Sequence, residues 1–296
     1  MRIFKKDVDY LRLLAFGEVL WDVYPTEKFI GGATLNFASH CVKHGAKAFL
    51  VSALGDDDLG REALGVIHKF GLNDTFVTTS KKETGKCVVT LNQNGIPNYN
   101  LLDDVAYDDI AEPEGGHYDV LYFGTLALRG EHNLGVVKNI IEKKLCDSVF
   151  VDVNIRAPFY SEKSVLFALQ NADYIKISDE ELGVVAKIAL DNVPEDNFDT
   201  VKAIAKKFTN LKLIIFTMGE KGAAVYDSVN QKTYSAEAAK VKVASTVGAG
   251  DSFGASFMCS YFNGKTPDEC LNLATRVSGY VVSCKDAVPE YNVSEI

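Results

Sequence analysis

The feature of this sequence that most restricts its fold is a regular alternation of apolar, β-like segments with amphipathic, helix-like segments. The β-like segments are near-continuous apolar runs, as expected for strands that helices cover on both faces. The helix-like segments carry apolar residues three or four positions apart, and several end at Gly or Asn. This pattern predicts an α/β fold with a parallel sheet between helices, and ligands are expected at the carboxyl ends of the strands. The predicted strands are LRLLAFGEVL, AFLVSAL, YDVLYFGTL, SVFVDVN, ADYIKIS, LKLIIFTMG and AAVYDS.

Two stretches interrupt the alternation. Residues 75–104 show no helical period, and Asn94-Gly95 is a typical β-hairpin turn between alternating segments. Residues 21–31 are extended in the same way. We expect these two stretches to form a small β-lid inserted into a single domain that spans residues 1–296, since no linker, repeat or low-complexity tract divides the chain.

Charge and composition exclude several classes of protein. The net charge of −9 gives no bulk attraction for nucleic acid. No run approaches the ~18 apolar residues of a membrane span, and Arg12, Glu18 and Asp22 interrupt the first apolar stretch, so neither a membrane helix nor a signal peptide is expected. The six cysteines form no C-x-x-C pair, which is typical of buried thiols in a reducing compartment. We therefore expect a cytoplasmic protein.

The segment STVGAGDSF is the strongest indication of chemistry. It follows a β-like segment, residues 240–245, and precedes a helix-like one. Gly248 and Gly250 flank Ala249, so that backbone N–H groups can converge on an anion at the start of a helix. Asp251 comes directly after this turn, where an Asp is also a common N-cap. The combination predicts phosphoryl transfer, with the turn holding developing negative charge and Asp251 accepting a hydroxyl proton.

Other motifs for phosphate, dinucleotide and metal binding fail. Gly264-Lys265-Thr266 resembles the end of a Walker A loop, but Cys259 stands where the first Gly is needed, and the segment also fits a helix connection. The dinucleotide pattern G-x-G-x-x-G fails at Phe253, which disfavours a nicotinamide oxidoreductase. His40 and His44 lie one helical turn apart, but without a third ligand a packed or solvated face is the better interpretation.

From about residue 13 to residue 291 the chain resembles the ribokinase/fructokinase (PfkB-type) family of carbohydrate kinases. Two motifs carry the resemblance: Gly31-Gly32-Ala33-Thr34-Leu35-Asn36 is similar to the family's N-terminal Gly-Gly element, and Thr246 to Asp251 is similar to its C-terminal signature. The resemblance implies a Rossmann-like, ribokinase-like parallel sheet with a small β-lid. It also implies an ATP-dependent sugar kinase that uses Mg²⁺.

The same resemblance implies roles for individual residues. Asp152 and Asn154, in VDVNIRAP, match a fructokinase-type element, and Ser178 replaces the Asn of the family's N-x-x-E element. Taken singly, Asp22 also fits a turn, Asp152 a buried strand end and Arg156 a structural ion pair. The implied catalytic residues are Asp251, Gly248, Ala249 and Gly250; the sugar-binding residues are Asp22, Gly31, Gly32, Asn36 and Arg156; the nucleotide-binding residues are Lys176, Thr217, Gly219, Gly222, Gly248 and Gly250; and Glu181 would order Mg²⁺.

Substrate, assembly and ion requirements follow from the resemblance as expectations. The chain is most similar to fructokinases in the segments GEVLWD, VNIR and KISDEE, so fructose is the expected sugar. Ribokinase and 2-keto-3-deoxygluconate kinase are alternative activities. A non-catalytic relative that binds sugar or nucleotide is an alternative of another class. Family members often pair through the lid, so a homodimer is expected. A monovalent cation is doubtful, because Ser245 stands where many relatives have Asp, and Asp286 stands where a Gly is usual.

Overall fold

The computed structural model describes residues 10–91 and 97–296, which contain thirteen strands and eight α-helices. The strands are β1 (Arg12–Phe16), β2 (Leu20–Val23), β3 (Lys28–Gly31), β4 (Lys47–Gly55), β5 (Asn73–Ser80), β6 (Gly85–Leu91), β7 (Pro97–Leu101), β8 (Tyr118–Gly124), β9 (Cys146–Asp152), β10 (Tyr174–Ser178), β11 (Leu213–Thr217), β12 (Ala223–Asp227) and β13 (Lys232–Ala236). The helices are α1 (Ala33–Lys43), α2 (Asp58–Lys69), α3 (Glu131–Glu142), α4 (Glu162–Asn171), α5 (Asp179–Ala189), α6 (Asn197–Lys207), α7 (Ala249–Phe262) and α8 (Pro267–Val282).

Nine strands form the main sheet, in the order β13-β12-β11-β10-β9-β8-β1-β4-β5. All neighbours from β5 to β11 are parallel, and β12 is antiparallel to the strand on each side. The chain moves outward from β1 in both directions, to β4 on one side and β8 on the other. In an open parallel sheet such a change of direction leaves a crevice at the carboxyl ends of the strands.

Helices cover both faces of the main sheet, which explains why its central strands lack a polar face. Leu14 and Phe16 pack with residues of α3, α4, α5 and α6, whereas Leu13 and Ala15 pack with residues of α1, α2 and α7. These four of the five side chains of β1 are fully buried. The predicted α/β architecture is confirmed. Among the described residues, none of the helices combines the length and the hydrophobicity that crossing a membrane requires.

A second, four-stranded sheet has the order β3-β2-β6-β7. The predicted lid segment, residues 75–104, is too long, because its first residues belong to β5 and pair in parallel with β4 at the edge of the main sheet. An edge strand with one exposed side alternates in the same way as a strand of a small sheet, so the pattern could not separate the two. The predicted Asn94-Gly95 turn lies outside the described residues, between the antiparallel strands β6 and β7.

Two predicted strands also differ in the structure. LRLLAFGEVL divides into β1 and β2 at Gly17, whose φ of 152° and whose position against Thr34 suit only glycine: a Cβ would lie 2.1 Å from Thr34 Oγ1. Residues 240–245 form no strand. Val243 is 62% exposed, and the N–H groups of Ala244 and Ser245 donate to a carbonyl at the end of α8. The segment alternates, but none of the described strands pairs with it.

Candidate active site

The turn before α7, residues 248–250, is called the glycine turn below. Gly248 is the N-cap of α7, with a left-handed φ of 81°, and a Cβ at this position would lie 2.5 Å from the Ala287 carbonyl oxygen. No side chain caps this helix. Helical geometry leaves the first N–H groups of α7 without partners inside the helix, and these groups face an anion favourably. The glycine turn therefore has the geometry that the sequence predicts for an anion-binding site.

Asp251 lies in the first turn of α7, three positions after the N-cap, so it is not the N-cap itself. Its Oδ2 accepts a hydrogen bond from Asn36 Nδ2 over 2.8 Å. Burial raises the pKa of Asp251 to about 7, although the bond from Asn36 favours the charged form. A carboxyl group with this pKa can take up and release a proton near neutral pH.

The start of α1 places Asn36 against Asp251, and a buried glutamate holds that start in place. Glu18 Oε1 accepts a hydrogen bond from the N–H of Ala33 over 3.0 Å, and Glu18 is 1% exposed. Gly32 has a φ of 108°, and a Cβ there would lie 2.4 Å from the Glu18 carbonyl oxygen. Sequence reasoning missed Glu18, whose only signal is a carboxylate inside the apolar run LLAFGEVLW.

Asp22 lies within β2 rather than in a turn. It pairs in register with Cys87 of β6, and a Cβ on Gly31 would lie 3.2 Å from Asp22 Oδ2. Burial raises the pKa of Asp22, while a hydrogen bond from the Cys87 thiol and the charge of Arg156 oppose the rise. The carboxylate therefore lies on the small sheet, close to a basic residue of the main domain.

Arg156 follows β9, and its side chain is exposed. Within the described part of the chain it forms no ion pair shorter than 4.0 Å, which disfavours the structural alternative. Its positive charge instead favours the ionised form of several acids at the carboxyl edge of the main sheet. These acids are Glu18, Asp22, Asp152 and Asp251. Arg156 therefore lies among the residues that were predicted to bind sugar and to accept the proton.

Asp152 and Lys176 form a buried ion pair on neighbouring strands. Lys176 Nζ lies 2.9 Å from Asp152 Oδ1 and 2.8 Å from Oδ2, and the two residues pair in register across β9 and β10. Burial disfavours the ammonium, but the charges of Asp152 and Glu181 outweigh it and raise the pKa of Lys176. Lys176 Nζ also lies 3.2 Å from where a Cβ on Gly250 would be, so a fixed positive charge lies next to the glycine turn.

Glu181 connects two loops at the same edge. Its Oε1 accepts from the N–H of Ile155 over 2.7 Å, and its Oε2 accepts from the N–H of Ser178 over 2.8 Å. Each carboxylate oxygen keeps a further lone pair. Among the described residues, no three His, Cys, Asp or Glu side chains are grouped to hold a metal ion. A metal at Glu181 would therefore need water and substrate oxygens as most of its ligands.

His40 and His44 are packing residues of α1. His40 Nε2 lies 3.0 Å from the Ala287 carbonyl oxygen and its Nδ1 lies 2.7 Å from Tyr291 Oη, while His44 Nε2 lies 2.8 Å from Ser256 Oγ. Burial lowers the pKa of His40 to about 4. The two imidazoles are thus engaged by hydrogen bonds, in agreement with the packed interpretation.

The turn between β11 and β12 carries the predicted nucleotide-side residues. Thr217 pairs in register with Ser178, which places the turn beside the residues described above. Gly219 and Gly222 have φ values of 55° and 92°, and a Cβ on Gly222 would lie 2.0 Å from a backbone carbonyl oxygen of β13. Exposed apolar side chains that sequence reasoning missed occur in the segment before the glycine turn and on α8: Val241, Val243, Val247 and Tyr280.

Solved structures share this fold over nearly the whole chain. A fructokinase from Vibrio cholerae O395, crystallised with fructose, ADP and calcium ion, has a TM-score of 0.81 at 20% identity, with 96% of each chain covered. An aminoimidazole riboside kinase from Salmonella enterica, crystallised with aminoimidazole riboside and an ATP analogue, has a TM-score of 0.77 at 20% identity, with 95% of this chain and 96% of that chain covered. At these identities the likeness concerns the fold.

Sequence comparison gives the family. A protein named probable fructokinase-4 from Arabidopsis thaliana is 26% identical over 310 aligned residues, which cover 94% of this chain and 92% of the relative. The family model described as pfkB family carbohydrate kinase matches residues 7–291. The match includes the glycine turn, Asp251 and the small sheet. The chain therefore belongs to the pfkB family of carbohydrate kinases.

Proposed function

We propose that this carbohydrate kinase transfers the γ-phosphate of ATP to a hydroxymethyl group of a small sugar, with Asp251 as the general base. The observation that carries the proposal is the combination of a helix start suited to an anion with a carboxylate whose pKa is about 7. A general base operates best with a pKa near the working pH. The positive helix end beside it can stabilise negative charge on the transferred group.

The proposed sugar site lies between the small sheet and the start of α1. Asp22 and Asn36 supply a carboxylate and an amide that can bind several hydroxyl groups, and Gly31 and Gly32 let the backbone pass close to Asp22 and Glu18. The hydrogen bond from Asn36 orients the Asp251 carboxylate, so its second oxygen can face the attacking hydroxyl. The small sheet would act as a lid that excludes water from ATP.

The phosphate side of the proposed reaction is positively charged at three places. The start of α7 supplies backbone N–H groups, Arg156 supplies an exposed guanidinium, and the Lys176 ammonium, which is paired with Asp152, lies beside Gly250. Glu181 fits Mg²⁺ that keeps most of its water ligands, because both its oxygens retain a lone pair. When bound, Mg²⁺ would supply further positive charge against the phosphate oxygens.

ATP would lie over the second half of the main sheet. In the turn that follows Thr217, Gly219 has open space where a Cβ would lie, whereas Gly222 packs closely against β13. The exposed valines at positions 241, 243 and 247 offer an apolar surface to a purine ring. This arrangement places the γ-phosphate near the glycine turn, between nucleotide and sugar.

D-fructose is the sugar that we propose. The support is the fructokinase-like set of Asp22, Asp152 to Arg156 and Lys176 to Glu181, together with relatives named fructokinase. The test is a panel of D-fructose, D-ribose, 2-keto-3-deoxygluconate and a nucleoside with ATP and Mg²⁺, with coupled detection of ADP. D-fructose is expected to give the highest kcat/KM; a clear preference for another sugar would refute this proposal and leave the kinase assignment intact.

A non-catalytic binding protein is the competing function. It would bind sugar or nucleotide without forming ADP with any member of the panel. The Asp251 carboxylate, placed beside an anion-binding helix start, favours catalysis. The Asp251→Asn protein, purified in parallel, controls for contaminating kinases in the same assay.

We also propose a homodimer that forms through the small sheet. Among the described strands, none pairs with the outer edges of β3 and β7, and Phe29 on β3 is 40% exposed. Free strand edges and exposed aromatic rings favour pairing with a second chain. Light scattering at micromolar concentration is expected to give the mass of two chains, and a monomer would contradict the proposal.

A further inference from the structure

Arg129 makes a set of contacts that the proposed chemistry does not use. Its Nε donates to Asp108 Oδ1 over 2.7 Å, and its Nη2 donates to Asp108 Oδ2 over 2.6 Å and to the Leu102 carbonyl oxygen over 2.9 Å. Only 9% of the Arg129 side chain is exposed. A planar, forked cation is needed to make these bonds together, which a lysine cannot do.

These bonds hold the segment that follows β7, residues 102–108, which we call the lid base. Two backbone hydrogen bonds also join the lid base to β6 and to the residues before that strand. The N–H of Leu102 donates to the carbonyl oxygen of Lys86, and the N–H of Ala106 donates to that of Glu83. Tyr107 packs closely against the first residue of β6, since a Cβ on Gly85 would lie 2.5 Å from the tyrosine ring. Arg129 therefore attaches the β6–β7 hairpin of the small sheet to the main domain.

The Arg129 guanidinium also contacts two aromatic rings from different parts of the chain. Its Cζ lies 5.0 Å from the ring centre of Tyr107, in the lid base, and 5.0 Å from the ring centre of Phe159. A buried cation at this distance is attracted to an aromatic face. Phe159 belongs to residues 153–160, which follow β9 and are called the Arg156 loop below.

One of the following contacts fixes the Arg156 loop to α5, and the other closes a turn within the loop. Near its start, the N–H of Ile155 donates to Glu181, and near its end the N–H of Phe159 donates to the carbonyl oxygen of Arg156 over 2.6 Å. A shift of the Phe159 ring would therefore move the backbone of Arg156. The position of Arg156 matters because its charge acts on the carboxylates of the proposed sugar site.

We propose that Arg129 is a positioning residue that holds the lid base and the Arg156 loop in a fixed relation. One guanidinium binds the backbone and carboxylate of the lid base and at the same time packs against the loop that presents Arg156. The small sheet and the cation that faces the sugar then keep their spacing when the sugar binds. The kinetic part of the proposal rests on the proposed sugar kinase function.

The first experiment measures amide hydrogen exchange in the full-length protein without ligands, and so does not depend on the function. Arg129→Met, which removes the cation, and Arg129→Lys, which keeps it, are compared with Arg12→Met. Arg12 is the matched control, because its Cζ also lies close to two aromatic rings, 5.5 Å from the ring centre of Phe49 and 5.0 Å from that of Tyr118. These rings lie near the amino end of β1, away from the carboxyl ends of the strands.

The Arg129 variants are expected to exchange at least about fivefold faster in both the lid base and the Arg156 loop, because local opening there loses its shared contact. The Arg12 variant should change neither segment. If exchange in the Arg156 loop is unchanged in the Arg129 variants, Arg129 does not link the lid base to this loop, and the proposal is overturned. If Arg129→Met does not fold, Arg129→Lys still decides the outcome, since it loses the forked bonds but retains the buried charge.

The second experiment is a double-mutant cycle with Arg156→Ala. Arg129→Lys is expected to raise the KM for the sugar about tenfold and to change the KM for ATP less than about twofold, because a small displacement of a substrate-facing group is costly. In the Arg156→Ala background, Arg129→Lys should add less than about twofold. Equal effects in both backgrounds would show a merely structural role and overturn the proposal. If the wild type phosphorylates no sugar, the proposed function fails, while hydrogen exchange still decides the coupling.

Discussion

Two carboxylates at the same edge of the main sheet have opposite surroundings. Asp251, at the start of α7, receives one hydrogen bond from the neutral amide of Asn36, and its pKa is raised to about 7. Asp152, at the end of β9, receives the Lys176 ammonium on both oxygens. Burial raises the pKa of both carboxyl groups, but Asp152 has a cation bound to both of its oxygens, and that cation opposes the rise. The structure thus distinguishes a buried carboxylate that is hydrogen-bonded to a neutral amide from one that forms a buried ion pair.

Asp251→Asn tests the first member of this comparison and should have the largest effect. The amide has nearly the same shape but cannot accept the proton of the sugar hydroxyl, so kcat is expected to fall by about 10²–10⁴. Affinity for ATP should stay within about twofold, because the backbone N–H groups of the glycine turn remain. Coupled ADP detection gives kcat, and titration calorimetry gives the affinity for ATP.

The matched control for Asp251→Asn is Asp56→Asn, a change of the same chemistry at an exposed position before α2. It should leave kcat and the affinity for ATP unchanged. Near-normal turnover of Asp251→Asn would show that Asp251 is not the base, and the comparison would then lose its first member.

Breaking the ion pair tests the second member. Asp152→Asn and Lys176→Met each leave one buried charge without its partner, so each is expected to lower the free energy of unfolding by about 3–5 kcal/mol. The double variant removes both charges and should lose clearly less than the sum of the single losses. Urea denaturation of the three variants and the wild type gives these values.

An exposed ion pair provides the reference for this experiment. Lys202 and Asp199 lie 3.1 Å apart on the surface of α6, and Asp199→Asn should cost at most about 1 kcal/mol. If Asp152→Asn costs no more than Asp199→Asn, the buried pair does not fix the charge at this edge, and the contrast with Asp251 disappears.

The pH dependence of activity sharpens the contrast between the two carboxylates. A general base at Asp251 would work only in the ionised form, and the raised pKa of about 7 means that the ionised fraction falls about tenfold per unit below that pH. We therefore expect kcat/KM for the sugar to be level above pH 7 and to decline below it. The residual activity of Asp251→Asn, measured over the same range, controls for titration of ATP, and an identical decline in the variant would contradict the assignment.

Periodicity and local motifs predicted the part of the fold that depends on neighbouring residues in the sequence. The strand–helix alternation, α7 with its stacked Phe257 and Tyr261, and the glycine turn all follow from residue spacing over a few positions. The β5 strand was assigned to the lid because alternating polar and apolar residues are compatible with an edge strand of either sheet. The alternating valines at 241 and 243 suggested a strand, but both side chains are exposed and the segment pairs with none of the described strands.

Contacts between distant residues could not be predicted in the same way. The sequence indicated Asp152 and Lys176 separately, but their pairing depends on the parallel register of β9 and β10, which no local pattern specifies. Glu18 was missed because a capping carboxylate normally lies within a few residues of its helix, whereas this one precedes Ala33 by fifteen positions. The roles assigned to the site residues remain predictions.

The smallest expected effect is the response of activity to potassium. This response tests whether a third carboxylate, that of Asp286, lies at the start of α7. Ser245 Oγ accepts a hydrogen bond from the N–H of Val247 over 3.2 Å, and Asp286 is exposed. The Ala287 carbonyl oxygen, next to Gly248, already accepts from His40. Ser245 thus offers no formal charge, and the Ala287 carbonyl oxygen is already engaged, whereas hard cations bind strongly where charged and carbonyl oxygens converge.

We accordingly expect kcat and KM to differ less than about twofold between potassium chloride and tetramethylammonium chloride at equal ionic strength, since no strong cation site is formed. Ser245→Asp supplies the missing charge beside the glycine turn and should produce a potassium response larger than about twofold, with the order of sugar preference unchanged. Strong potassium activation of the natural protein would contradict this expectation. It would mean that the Asp286 side chain turns inward and supplies the negative charge that Ser245 lacks. Asp286 would then contribute, with Asp251 and Asp152, to the electrostatic potential at the start of α7.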